Sequence, residues 1–200
     1  MNDGLVYIYA DESCLGNQFE GGNPGAAAGM IEQFDPRRGW RRKDFYQFDP
    51  STTNNRMALT SGALGLAALT RPCDAVFTTD SKYLVSGMKE WVHGWAARGW
   101  RRKGGAIENL DLWHRLIDEA RRHRVEWRWV RGHAGHAKNE YANMLAVRAA
   151  TEAENSGGLL ESSGFEGWLE AEMERGRYLE YMDVPPEEPF SPDRAPPVSG

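Results

Sequence analysis

Two aspartates end short runs of apolar and β-branched residues: Asp11 closes GLVYIYAD and Asp80 closes AVFTTD. Such runs read as strands, and in an open α/β sheet the crevice beyond the strand ends is where reacting groups collect. Between them lies TTNNRMALTSGALGLAAL, residues 52–69. Its polar start suits a helix cap, with Thr53 as N-cap. Thr53, Asn54 and Asn55 thus bring hydroxyl, amide and backbone N–H groups to a helix N-terminus, a place that grips phosphate. A third group, GHAGH, carries His133 and His136, with no further Cys or His at the spacing of a zinc site.

The elements that must hold these groups follow from periodicity. Residues 4–10 predict a first strand, followed by the Gly-rich connection LGNQFEGGNPGAA. A second strand is expected near 27–33, the turn DPRRG after it, and a returning strand over 40–48. A helix over about 53–69 precedes the fourth strand, 75–80. Residues 82–97 and 109–123 read as helices, the latter with Leu112, Leu116 and Ile117 on one face. A strand over 124–132 and a helix over 139–151 complete the body. The order is three strands, helix, strand, helices, strand, helix. It predicts α/β architecture, a mixed sheet flanked by helices.

Two hundred residues suffice for one domain and an extension. Two cysteines, Cys14 and Cys73, make no disulfide framework, so a reducing, cytoplasmic setting is the default expectation. The start Met1-Asn2-Asp3 lacks the basic region of a signal peptide, and no apolar run is long enough to span a membrane. The net charge of −5 hides an uneven distribution. Residues 151–200 hold 12 acids and 3 bases, and residues 1–150 hold 17 acids and 21 bases. A mildly basic body with an acidic end fits a nucleic-acid partner for the body.

At this level of detail the body resembles type 1 ribonuclease H. The resemblance rests on DESCLGN, TTNNRMAL, TTDSKYL, GMKEWVHGWAARGWRRK, NLDLW, WRWVRGHAGH and NEYANMLA, in the family's order over roughly residues 5–150. It implies a five-stranded mixed sheet and hydrolysis of the RNA strand of RNA–DNA hybrids. It also implies Mg²⁺ or Mn²⁺ as cofactor. In that chemistry two ions roughly 4 Å apart clamp the scissile phosphate. Hard cations of this kind need oxygen ligands converging from separate strand and helix ends.

The family places four carboxylates around those ions. Carried over by position, the first is Asp11 and the third Asp80, but the second falls on Ala58 and the fourth on Asn143. Asn143 keeps a ligating carbonyl without charge; Ala58 keeps nothing. Glu12 stands where the family has Gly, so an acid is gained beside Asp11 where one is lost. Strand alternation argues against Glu12 joining Asp11, since neighbours point to opposite faces; its length and the strand end argue for it. Glu20 and Glu140 are weaker candidates. The candidate metal ligands are Asp11, Asp80 and Asn143, with Glu12 as either a helper or a solvated or Arg-paired side chain.

His133 matches the family's histidine near the attacking water or departing product, and His136 reads as structural. For substrate, Asn17 and Gln18 in the Gly-rich loop suit a 2′-hydroxyl, the mark of RNA, and Lys82 suits the RNA strand. Thr53, Asn54 and Asn55 suit phosphate and base edges. Trp91 and Trp95, four residues apart, either flank deoxyribose or pack on each other. Arg101 and Arg102, with Arg98 and Lys103, supply salt-dependent affinity for the DNA strand.

Two functional readings stay open on sequence. One is a hybrid endoribonuclease with an atypical site. The other is a hybrid- or duplex-binding module that cleaves weakly or not at all, whether naturally or by engineered knockout. The domain boundary is expected near residue 153, with residues 154–200 forming an acidic extension. That extension should hold one short amphipathic helix, using Phe165, Trp168 and Leu169, and then a Pro-rich disordered end. Three roles stay open for it: folding back on the basic groove, docking a basic protein, or simply a solubilising disordered end.

Overall fold

The computed structural model describes residues 4–16 and 23–199. A β-meander of β1 (Val6–Cys14), β2 (Asn23–Asp35) and β3 (Gly39–Thr52) is joined by β4 (Asp74–Thr79) and β5 (Arg124–Trp129). The sheet order is β3-β2-β1-β4-β5. β1 runs antiparallel to β2 and parallel to β4, which is parallel to β5. The register fixes the site: Tyr9 of β1 pairs with Thr78 of β4. Two residues further along each chain come Asp11 and Asp80, so two neighbouring parallel strands carry their acids to the same end.

Alternation along β1 divides the core. Ile8 and Ala10 face the cluster built with α1 (Asn54–Ala67) and α4 (Leu110–Ala120). Tyr7 and Tyr9 face the cluster built with α5 (Ala137–Glu152). The small residues of α1 let it lie close on the sheet: a Cβ on Gly65 would stand 3.0 Å from Ile8 Cγ2. In α4 the fully buried residues are Trp113, Leu116, Ile117 and Ala120, while Leu112 is only partly buried at the rim. The helix expected over 82–97 is α2 (Lys82–Ser86), a π-helical turn Gly87–Trp91, and α3 (Val92–Ala96). At that turn Trp113 lies so close to Gly87 that a Cβ would overlap its ring. β2 and β3 are longer at both ends than periodicity suggested, because two antiparallel partners continue pairing beyond the buried stretch.

The acidic extension touches the body at several points of its described length. Its helix α6 (Phe165–Glu174) packs Phe165 and Trp168 on Tyr141 of α5. Before α6 the chain lies on the open edge of β3, with Ser156 N–H donating to Tyr46 O at 3.0 Å and Leu160 N–H to Asp44 O at 2.9 Å. After α6 it forms no helix or strand, but Pro does not prevent backbone contact. Asp193 N–H donates to Val125 O at 2.9 Å, and Trp127 N–H donates to Asp193 Oδ2 at 2.8 Å. Those groups belong to β5, the other edge strand, so one extension covers both edges of the sheet. Lys89 pairs with Asp193 at 3.3 Å. Lys89 belongs to the basic segment 89–103, so the extension touches that segment at its start.

The extension also completes a buried charge cluster. Glu32, Arg42 and Lys138 are buried on β2, β3 and α5. Arg42 Nε meets Glu32 Oε2 at 2.8 Å, and Lys138 donates to Glu32 Oε1. From the extension, Glu166 and Asp183 meet the same guanidinium at 2.6 and 2.5 Å. Burial pulls the Lys138 ammonium down from its ordinary range, and Glu32 opposes that pull. A buried cation persists only when paired this way.

Candidate active site

Asp11 sits near the end of β1, buried, on the α5 face. Its Oδ1 accepts the Glu12 backbone N–H at 2.7 Å, and its Oδ2 accepts Asn139 Nδ2 from α5 at 3.3 Å. Asn139 has no role in the sequence reading. The signal was present, since Asn139 precedes Asn143 by four residues and helical spacing puts both on one side of α5. Asn143 is half-buried one turn further along that helix.

Glu12 leaves β1 toward the opposite face, as alternation requires, yet its carboxylate returns to the site. One oxygen each from Asp11, Glu12 and Asp80 lie within 4.8 Å of one another. Proximity without a counter-charge is costly. Burial, and then the carboxylate of Asp80, push Asp11 up from 3.8 to about 8. Burial, then Asp11 and Asp80, hold Glu12 well above the usual carboxylate range. Burial likewise raises Asp80, while His133 opposes the rise. Glu12 Oε2 is buried with no hydrogen-bond partner. Three hard oxygen donors, mutually repelling and one of them orphaned, fit a divalent cation. Ala58 is fully buried in α1 and offers only a methyl group.

Asp80 lies between β4 and α2, one residue past the ladder. The Thr79 carbonyl still accepts from Val130 N–H at 3.0 Å. The Asp80 carbonyl accepts from Trp129 Nε1 at 2.9 Å. Gly132 stands against the Asp80 carboxylate so closely that a Cβ would overlap Oδ2. Neither Trp129 nor Gly132 was singled out by sequence, because both act through the backbone or through absence of a side chain.

His133 is exposed over 77% of its side chain and takes a positive φ of 51°. Its Nδ1 is 3.7 Å from Glu140 Oε2, which gives Glu140 a place at the site rim. His136 caps α5, accepting from Asn139 N–H at 3.3 Å, in line with a structural role. Thr53 caps α1, accepting from Arg56 N–H at 3.3 Å, and Asn54 and Asn55 are exposed in the first turn. Lys82 is exposed beside Asp80, its Nζ 4.4 Å from the centre of the Trp129 ring. Trp91 and Trp95 pack on each other at 5.9 Å and on Trp113, with Trp91 remaining partly open to solvent. Arg101 and Arg102 are exposed in the loop after α3, and Arg102 lies 3.6 Å from Glu108. Asn17, Gln18 and Glu20 lie outside the described residues.

Comparison with known proteins gives a consistent picture. The RNase H family model matches residues 3–151. A Ribonuclease H of Granulibacter bethesdensis is 46% identical over 149 residues, 74% of this chain and 93% of that protein. One from Syntrophotalea carbinolica is 45% identical over 149 residues, 74% of this chain and 92% of that protein. Among solved structures, LC9-RNase H1, described as a type 1 RNase H with the type 2 active-site motif, superposes with a TM-score of 0.88. It is 48% identical, and the match covers 99% of this chain and 96% of that one.

Proposed function

This chain belongs to the RNase H family, and from that footing we propose that it hydrolyses the RNA strand of RNA–DNA hybrids through a rearranged carboxylate site on a type 1 fold. In this reading Asp11, Glu12 and Asp80 supply the anionic ligands and Asn143 a neutral oxygen, with Mg²⁺ or Mn²⁺ as the ion. The observation that carries it is the convergence of the three carboxylates, with Glu12 Oε2 buried and unpartnered. The similarity to LC9-RNase H1, a type 1 protein with another class's motif, supports an altered carboxylate arrangement on this fold.

Bound divalent ions of this kind neutralise charge at the scissile phosphate and favour ionisation of the attacking water. The chain's own residues do the rest. Asn139 and the Glu12 N–H fix the Asp11 carboxylate. Thr53, Asn54 and Asn55 hold phosphate and base edges at the start of α1, and Lys82 faces the RNA strand. Arg98, Arg101, Arg102 and Lys103 bind the DNA strand without regard to sequence. His133 Nδ1 faces Glu140, which leaves Nε2 free to exchange a proton with the attacking or departing oxygen.

Incubation of the protein with an end-labelled hybrid, with Mn²⁺ or Mg²⁺, tests the proposal. Cleavage of the RNA strand, lost in Asp80→Asn while hybrid binding persists, is the expected result. Tight binding by wild-type protein with no cleavage in either metal contradicts it and favours the binding-module reading.

A further inference from the structure

We propose that Trp129 is a positioning residue that ties the Asp80 backbone and Lys82 into one unit; this rests on the reading of Asp80 as a metal-binding acid. Asp80 is the acid least supported by the sheet. It follows the last rung of the β4–β5 ladder and precedes α2, so its carbonyl has no strand partner. A backbone carbonyl in such a place needs a donor. The indole N–H of Trp129, at the end of β5, supplies it at 2.9 Å. Pinning that carbonyl fixes the peptide plane after Asp80 and thereby the direction of its Cα–Cβ bond. Gly132, one turn of chain beyond Trp129, limits the carboxylate from the other side.

The same ring serves Lys82. Its ammonium lies over the indole at 4.4 Å, held by the negative face of the π system. Trp129 is 43% exposed, unlike its neighbour Trp127, which is buried in the core. An exposed tryptophan whose two polar functions both go to site residues is poorly explained by packing alone. The indole edge restrains the acid that would hold an ion, and the indole face steers the cation that would meet the RNA strand.

Two variants separate the two functions. Trp129→Phe loses the N–H and the second ring but keeps an aromatic face for Lys82. Trp129→Leu loses the N–H and the aromatic face. For each, the measurements are divalent-ion affinity by calorimetry without substrate, hybrid affinity against salt in the absence of metal, and kcat and KM. Trp129→Phe should weaken ion binding and lower kcat by about 2- to 10-fold, as for one lost hydrogen bond, with hybrid affinity and its salt slope unchanged. Trp129→Leu should add a loss of about 2- to 5-fold in metal-free hybrid affinity, as for one lost cation–π contact. Because the ring is half in solvent, neither change should move Tm by more than a few degrees; that readout separates positioning from general destabilisation. A Trp129→Phe protein with wild-type ion affinity and kcat overturns this inference while leaving the functional reading intact. A wild-type protein that binds no divalent ion overturns both.

Discussion

At the scale of the residue, the chain is read most sharply at Glu12 and Ala58. An acid is missing from α1 and another appears on β1, and the new one brings its carboxylate to within 4.8 Å of its neighbours'. Because Ala58 is fully buried, returning an acid there should not help. Ala58→Glu must fit a larger, charged side chain into a packed, fully buried position of α1. A stability loss of about 1–3 kcal/mol from overpacking is expected, with no gain in cleavage. Chemical denaturation and a hybrid assay check this, and a more active, equally stable variant contradicts it. A second prediction concerns protons. Asp11 holds its proton up to about pH 8 in the fold, against 3.8 for the ordinary group. Its contribution to metal-free stability is therefore full below the ordinary value and drains away as pH rises toward 8. A divalent ion needs the ionised oxygens and must displace those protons. Binding should thus release protons, and the gain in Tm on adding Mg²⁺ or Mn²⁺ should grow from about pH 6 to about pH 8. Calorimetry in buffers of differing ionisation enthalpy measures the release directly; proton-neutral binding contradicts it.

At the scale of the element, much of the architecture was legible. Apolar and β-branched runs marked β1 and β4, and the cap at Thr53 marked the start of α1 within a residue. Both acids were placed at strand ends from apolar runs alone. The π-helical turn was not legible, because it accompanies the packing of Trp113 against Gly87 from a helix distant in sequence. Strand alternation, a two-residue rule, also could not say how far a long side chain bends at a strand end, so the nearness of the Glu12 carboxylate to Asp11 and Asp80 was not legible. The buried charges were invisible for a similar reason. Glu32, Arg42 and Lys138 read singly as surface residues, and only the meeting of β2, β3 and α5 buries them together. That cluster gives the element-scale prediction. Glu32→Gln leaves two buried cations without their shared carboxylate. It should cost about 3–5 kcal/mol in a denaturant titration, since breaking a buried pair strands a charge. Loss of less than 1 kcal/mol, on the order of a surface pair, contradicts the account.

At the scale of the whole molecule, composition suggested a body and an acidic tail, and charge alone invited a tail that competes with nucleic acid. The contacts show where its described residues touch the body. It lies on β3, crosses the face beside α5, reaches β5 and ends with Ser199 on Asp118 of α4, bringing Glu166 and Asp183 to Arg42 on the way. Composition could not reveal this, because edge-strand pairing uses backbone groups that every residue carries. Truncation after Ala153 should therefore lower Tm and promote self-association through the uncovered edges, with hybrid affinity nearly unchanged at moderate salt. A truncated chain that melts with the full one, or binds hybrid much more tightly, contradicts this arrangement. The claim on which the functional account stands is that Glu12 replaces the acid absent from α1. Its most direct test is single-turnover cleavage of a labelled hybrid by Glu12→Gln, at saturating metal. The account predicts a fall of about 100-fold or more with hybrid affinity preserved, since one anionic ligand is lost and nothing else moves. Cleavage at the wild-type rate by Glu12→Gln would show that the site works without it.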